Sequence, residues 1–116
     1  MKSKVRRFIN FLLPYQPEQV YLFGSWARGE EDELSDMDIL VIKRTSVPFL
    51  ARLKEVSRFF PAKTGGMDVL VYTPEEFARM KKEGNAFAEM IAEEALLIYD
   101  RKKKNRGKAL VPASLL

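Results

Sequence analysis

Gly24-Ser25-Trp26-Ala27-Arg28-Gly29, followed by Ser35-Asp36-Met37-Asp38-Ile39-Leu40-Val41, is the stretch on which the reading of this chain turns. Val20-Tyr21-Leu22-Phe23 runs into the first glycine, as a short strand does when it meets a residue free to turn. Asp36 and Asp38 alternate with Met37, Ile39 and Val41. They therefore share a strand face with Leu40 and Ile42, about 7 Å apart along the chain. That spacing lets both carboxylates reach one divalent cation. A third acid, Asp68, opens another apolar strand, Met67–Tyr72. Acidic residues opening apolar strands are costly to bury unless they are paired or bind a metal.

Working outward, the periodicity predicts a helix over residues 3–13, with Val5, Phe8, Ile9, Leu12 and Leu13 at helical spacing and Pro14 ending it. A short helix starts at Ser25 and runs to about Gly29, and an acidic loop, Glu30 to Leu34, leads to a strand over Met37–Lys43. Pro48 opens a helix that puts Phe49, Leu53, Val56 and Phe60 on one face, and Pro61 closes it. Gly65-Gly66 turns the chain into Met67–Tyr72. Thr73-Pro74-Glu75-Glu76 reads as a capping box with Pro at the first helical position. Gly84-Asn85 separates that helix from one over 86–94, and Leu96–Tyr99 reads as a last strand. The order is an α/β (α+β) arrangement: a small mixed sheet flanked by helices. If the strands that begin at Asp36 and Asp68 are neighbours, their polar ends meet in one cleft.

The 116 residues suit a single domain. No apolar run reaches the ~18 residues of a membrane span, and the basic start lacks the pattern of a secretory signal. Cysteine is absent, which excludes disulfides and thiolate metal sites and agrees with a cytoplasmic address. Histidine is absent too, so Ser-His-Asp hydrolysis, imidazole acid–base chemistry and His-ligated zinc are excluded. The net charge is +4, but residues 1–100 carry −2 and residues 101–116 carry +6. The basicity belongs to a tail, 101–116, appended to a domain over 1–100, and nucleic-acid binding through that tail is not favoured over a solvated terminus.

Hard carboxylate oxygens select Mg2+ or Mn2+, and three of them suit two ions. Asp36, Asp38 and Asp68 are the expected metal and catalytic residues. Asp68 is also the best acceptor for a nucleophile's proton. Gly24 lets the backbone approach a phosphate, and Ser25 begins a helix whose first N–H groups and hydroxyl can hold one. An ordinary turn with Ser25 as N-cap is the competing reading. Arg28, one turn on, either grips a phosphate or pairs with a nearby acid. Trp26 and Ala27 read as packing residues, Ser35 as a loop cap, and Lys43 and Arg44 as solvated strand-end charges. Together the residues imply metal-assisted nucleotidyl transfer.

The Gly-Ser-x-x-x-Gly element, the Ser-Asp-x-Asp element and Met67-Asp68-Val69 resemble a minimal nucleotidyltransferase of the DNA polymerase β superfamily, over residues from about 18 to 100. The resemblance implies Mg2+, ATP as substrate and transfer of AMP to a hydroxyl with release of pyrophosphate. It gives Asp36, Asp38 and Asp68 the metal and catalytic roles, and Gly24 and Ser25 the triphosphate. Many stand-alone members resemble antitoxins that silence a HEPN ribonuclease toxin by adding AMP to its tyrosine. Transfer to an RNA end or a small molecule, and inhibition by contact alone, are the alternatives. The chain has no room for a second substrate-recognition domain, so a protein partner would complete the cleft.

Overall fold

The computed structural model describes residues 2–30, 36–61 and 66–103. The greater part of the expected acidic loop, together with Ser35, Gly65 and the tail from residue 104, lies outside these. Helix α1, Lys2–Leu12, turns Val5, Phe8, Ile9 and Leu12 inward on one stripe. Pro14 does not end the segment outright. It sits inside a 3-10 turn, Leu13–Tyr15, which Gln16 closes at φ 62° by donating its N–H to the Leu13 carbonyl.

Strands β1 (Gln19–Phe23), β2 (Met37–Ile42), β3 (Met67–Tyr72) and β4 (Leu96–Asp100) form one mixed sheet in the order β3-β2-β1-β4. β1 runs antiparallel to both of its neighbours, while β2 and β3 are parallel. A parallel pair needs a crossover, and helix α3, Phe49–Ser57, supplies it. The four-residue helix α2, Ser25–Arg28, follows β1, and helices α4 (Pro74–Lys82) and α5 (Ala86–Glu94) lie between β3 and β4. The element order is the one the sequence predicts, including the final strand.

Alternation on the strands assigns the two faces. Val20, Leu22, Met37, Ile39, Val41, Val69 and Val71 pack with α1, Trp26 and Val56. Leu40 and Ile42 pack on the opposite face with Phe77, Ala88 and Ile91 of α4 and α5. The central strand β2 is buried along its length except at Asp38. That exception, on the α4/α5 face of the sheet, marks the cleft.

The capping box forms as expected: the Thr73 hydroxyl accepts from the Glu76 N–H at 3.1 Å, and Glu76 accepts from the Thr73 N–H at 2.8 Å. The stripe expected on α3 is only partly realised. Val56 is buried, but Phe49 and Leu53 are exposed and Arg52 takes an inward position. The reason is a set of partners outside the helix. Arg52 donates to the carbonyls of Val47 and Val71 and, through both terminal nitrogens, to Glu76 at 2.6 and 3.0 Å. A buried guanidinium is tolerable when every face of it is bonded in this way.

Candidate functional site

The site is built where β2 and β3 begin. The two strands are in parallel register with Asp38 beside Asp68, and the two carboxyls lie close enough to act on each other's charge. On the other side Phe23 is the register partner of Asp38, so Gly24 leaves β1 directly against it. Burial, then the charge of Asp68, then the charge of Asp36, push the Asp38 carboxyl above the usual carboxylate range, and Arg28 opposes them weakly. Both other expected carboxylates therefore act on Asp38. Asp36 stands just before the first residue of β2.

Two glycines make room for these side chains. A Cβ on Gly24 would run into a carboxylate oxygen of Asp38, and one on Gly66 would run into the carboxylate of Asp36. Gly24 is also at φ 74°, ψ −151°, a conformation L side chains rarely adopt. The structural use of Gly66 was not legible in the sequence beyond a turn, because it depends on which strand lies next to β3. Gly24 is the N-cap of α2, and its carbonyl accepts from the Ala27 and Arg28 N–H groups at 3.1 and 3.2 Å. Ser25 is consequently the first helical residue rather than the N-cap.

Arg28 pairs with Glu30 at 2.8 Å and approaches Glu94 of α5 at 3.9 Å; these neighbours, Glu30 foremost, hold its pKa up. The pairing alternative is thus the arrangement found. Trp26 is buried in the core, as expected, with the Lys4 ammonium over its ring at 5.1 Å. Arg44 is an exposed strand-end charge, bridging Glu18 and Glu75. Lys43 departs from expectation: it donates to the Tyr15 carbonyl and lies over the Tyr15 ring at 4.6 Å.

A divalent cation fits this donor set. The ligand atoms are hard oxygens, the glycines keep carbon away from them, and the mutual repulsion at Asp38 is relieved by positive charge. Among the described residues no three acidic side chains are already drawn into an ion cage. Asp38 and Asp68 stand side by side, while Asp36 rests against Gly66. A separate cavity of about 200 Å3, lined by Gln19, Ile42, Arg44 and Asp100 among others, lies at the far end of the strands and has no part in this cleft. Among the described residues no helix is long and apolar enough to cross a membrane.

Comparison with known proteins agrees with this geometry. The family profile described as Polymerase beta, Nucleotidyltransferase matches residues 7–104. A candidate protein adenylyltransferase of Methanocaldococcus jannaschii is 29% identical over 69 residues, which is 60% of this chain and 69% of that protein. The crystal structure of a candidate nucleotidyltransferase from Sulfolobus solfataricus superposes with a TM-score of 0.63 at 27% identity, covering 89% of this chain and 83% of that one. A toxin–antitoxin structure with AMP-PNP shares the fold, with a TM-score of 0.59 at 18% identity over 90% of this chain and 77% of that one.

Proposed function

The chain belongs to the polymerase beta nucleotidyltransferase family, and from that premise we propose that it is an Mg2+-dependent adenylyltransferase that moves AMP from ATP to a tyrosine of a HEPN-type toxin, acting as its antitoxin. The observation that carries this reading is the carboxylate pair Asp38–Asp68 on one rung, with Asp36 adjoining and Gly24-Ser25 at its edge. The relative named as a protein adenylyltransferase supports AMP transfer to protein. The toxin–antitoxin structure with AMP-PNP supports the partner class and the nucleotide.

In this reading Asp36 and Asp38 hold the cation, with Mn2+ as a possible substitute, and Asp68 completes the set. When bound, the ion neutralises triphosphate charge and eases deprotonation of the acceptor hydroxyl. Gly24 lets the triphosphate approach the backbone, and the Ser25 hydroxyl donates to it. Asp68 accepts the acceptor's proton as the new oxygen–phosphorus bond forms and the α–β phosphoanhydride breaks, releasing pyrophosphate. Arg28 exchanges its surface acids for a phosphate.

The test is incubation of the protein with labelled ATP, Mg2+ and the product of the neighbouring gene. A mass gain of AMP on a tyrosine is expected, and it vanishes in the Asp36→Asn/Asp38→Asn variant. Label on RNA instead would refute the protein acceptor. Inhibition of the partner that survives the double substitution would refute catalysis as the means of silencing.

A further inference from the structure

Among the described residues the exposed large apolar side chains are Phe49, Leu50 and Leu53, 38%, 88% and 57% accessible, and all three belong to α3. Phe49 and Leu53 are one turn apart and Leu50 lies beside them, so they form one patch. A contiguous apolar patch left exposed on a surface helix marks a place where something else packs. The patch continues into an open groove of about 360 Å3, lined by Phe49, Tyr72, Met80 and the charged residues Glu76, Arg79 and Glu83.

A row of packed aromatic rings leads from the groove toward the cleft. The Phe49 ring lies 5.0 Å from Tyr72, Tyr72 lies 6.2 Å from Phe87, and Phe87 lies 5.5 Å from Phe23, whose register partner is Asp38. Tyr72 and Asp68 lie on one face of β3, about 13 Å apart by strand rise. A single folded partner can therefore rest on the groove and present a hydroxyl at the carboxylates.

Charge chooses the occupant. Lys54 on α3, Arg58 at its C-terminal cap and Arg79 on the groove are exposed, and none has an ion pair among the described residues. Of the acids lining the groove, Glu76 is engaged by Arg52, which leaves Glu83 as the uncompensated one. A second copy docking through this patch about a two-fold axis would bring these cations face to face. The tail is a poor occupant for the same reason, since residues 101–116 carry six Lys/Arg and no acid. Acidic side chains flanking an apolar stripe answer the pattern, and an amphipathic helix in a groove is the form such a stripe takes.

We propose that the α3 patch and the Phe49–Tyr72–Met80 groove are the docking surface for an acidic amphipathic helix of the acceptor protein, holding it while its hydroxyl reaches Asp68. The inference rests on the adenylyl-transfer reading only for the word acceptor. Docking is measurable on its own.

The full chain is compared with Leu50→Glu/Leu53→Glu and Lys54→Glu/Arg58→Glu, using the neighbouring gene's product as the probe. All four side chains are exposed, and unchanged melting of the variants confirms that they fold. In both, the KM for the acceptor rises by at least ~tenfold, while kcat at saturating acceptor and calorimetric affinity for MgATP match the parent. Wild-type binding weakens as salt is raised, and binding by the Lys54/Arg58 variant responds less. Unchanged KM, or salt-insensitive wild-type binding, overturns the proposal.

If the parent binds MgATP yet transfers nothing to protein, the transfer reading fails. Direct binding of the two proteins then decides docking: its loss in both variants upholds the surface, and its retention or its absence in the parent overturns it. A parent that sediments as a dimer beside a monomeric Leu50/Leu53 variant makes a second copy the occupant. Acceptor binding tightened at least ~tenfold in a chain ending at Lys103 makes the tail the occupant. Either result overturns the acidic helix.

Discussion

Asp38 of β2 and Asp68 of β3 occupy the same rung of the parallel ladder, where the charge of Asp68 acts on the Asp38 carboxyl. Two acids so placed repel when both are charged, and the sheet holds them together regardless. Such a pair lowers the stability of the ion-free fold in exchange for a site. Asp68→Asn should therefore raise the stability of the chelator-treated protein by about 1 kcal/mol while abolishing AMP transfer. Thermal melts with and without Mg2+ check both halves, because added ion should stabilise the parent and not the variant.

Gly24→Ala combines a backbone and a steric fault. At φ 74° the alanine is strained, and its Cβ meets the Asp38 carboxylate. The expected cost is about 1 to 3 kcal/mol, with nucleotide affinity lost as Asp38 is displaced. Gly29 is the control: it has φ 73°, but nothing lies within 4 Å of its would-be Cβ. Gly29→Ala should cost about 1 to 2 kcal/mol by strain alone and leave MgATP titrations unchanged.

What could be read in advance was local. Thr73 to Glu76 announces its capping box within four residues, and the alternation from Asp36 to Ile42 announces both its face and its strand. The meeting of Asp38 with Asp68 needed the strand order, and β3-β2-β1-β4 is decided by pairing over long separations. Arg52 misled the reading of α3 in the same way. Its partners Val71 and Glu76 are 19 and 24 residues away, so a helix whose inward position is filled by a guanidinium looks, from its own residues, like one that turns Phe49 and Leu53 to the core. Lys43 could not be placed for want of Tyr15, a contact across 28 residues.

The Arg52–Glu76 pair joins the crossover helix to α4, so its strength should appear in acid unfolding. The Arg52 hydrogen bonds, foremost, hold the Glu76 carboxyl down to about 2 against a usual value of 4.5. A depressed carboxyl contributes stability that is complete above its unfolded pKa and is lost as pH falls toward its folded one. The contribution should therefore disappear between about pH 4.5 and pH 2. Glu76→Gln leaves Arg52 buried without its charge partner and should cost about 1 to 3 kcal/mol at neutral pH. Denaturant midpoints measured against pH should converge for parent and variant at the acid end. Curves that stay parallel would remove the pair from the stability of the fold.

Tyr15 tests the opposite limb. Its hydroxyl is buried beside the Glu55 carboxylate without a well-formed hydrogen bond, and burial, then the Glu55 charge and its weak hydrogen bonding, push its pKa up to about 12 from 10.0. The unfolded chain releases this proton first, so between those two values the folded state holds the proton that the unfolded state has lost. Stability falls there by up to about 1.4 kcal/mol per pH unit. Tyr15→Phe removes the proton and an unsatisfied polar atom together while keeping the ring that contacts Phe59 at 5.2 Å and carries the Lys43 ammonium. At neutral pH the variant should match the parent or exceed it by up to about 1 kcal/mol. Above pH 10 its advantage should widen steadily. Equal alkaline slopes for the two proteins would mean that Tyr15 ionises freely in the fold, and a large neutral-pH loss in the variant would mean that its hydroxyl is bonded.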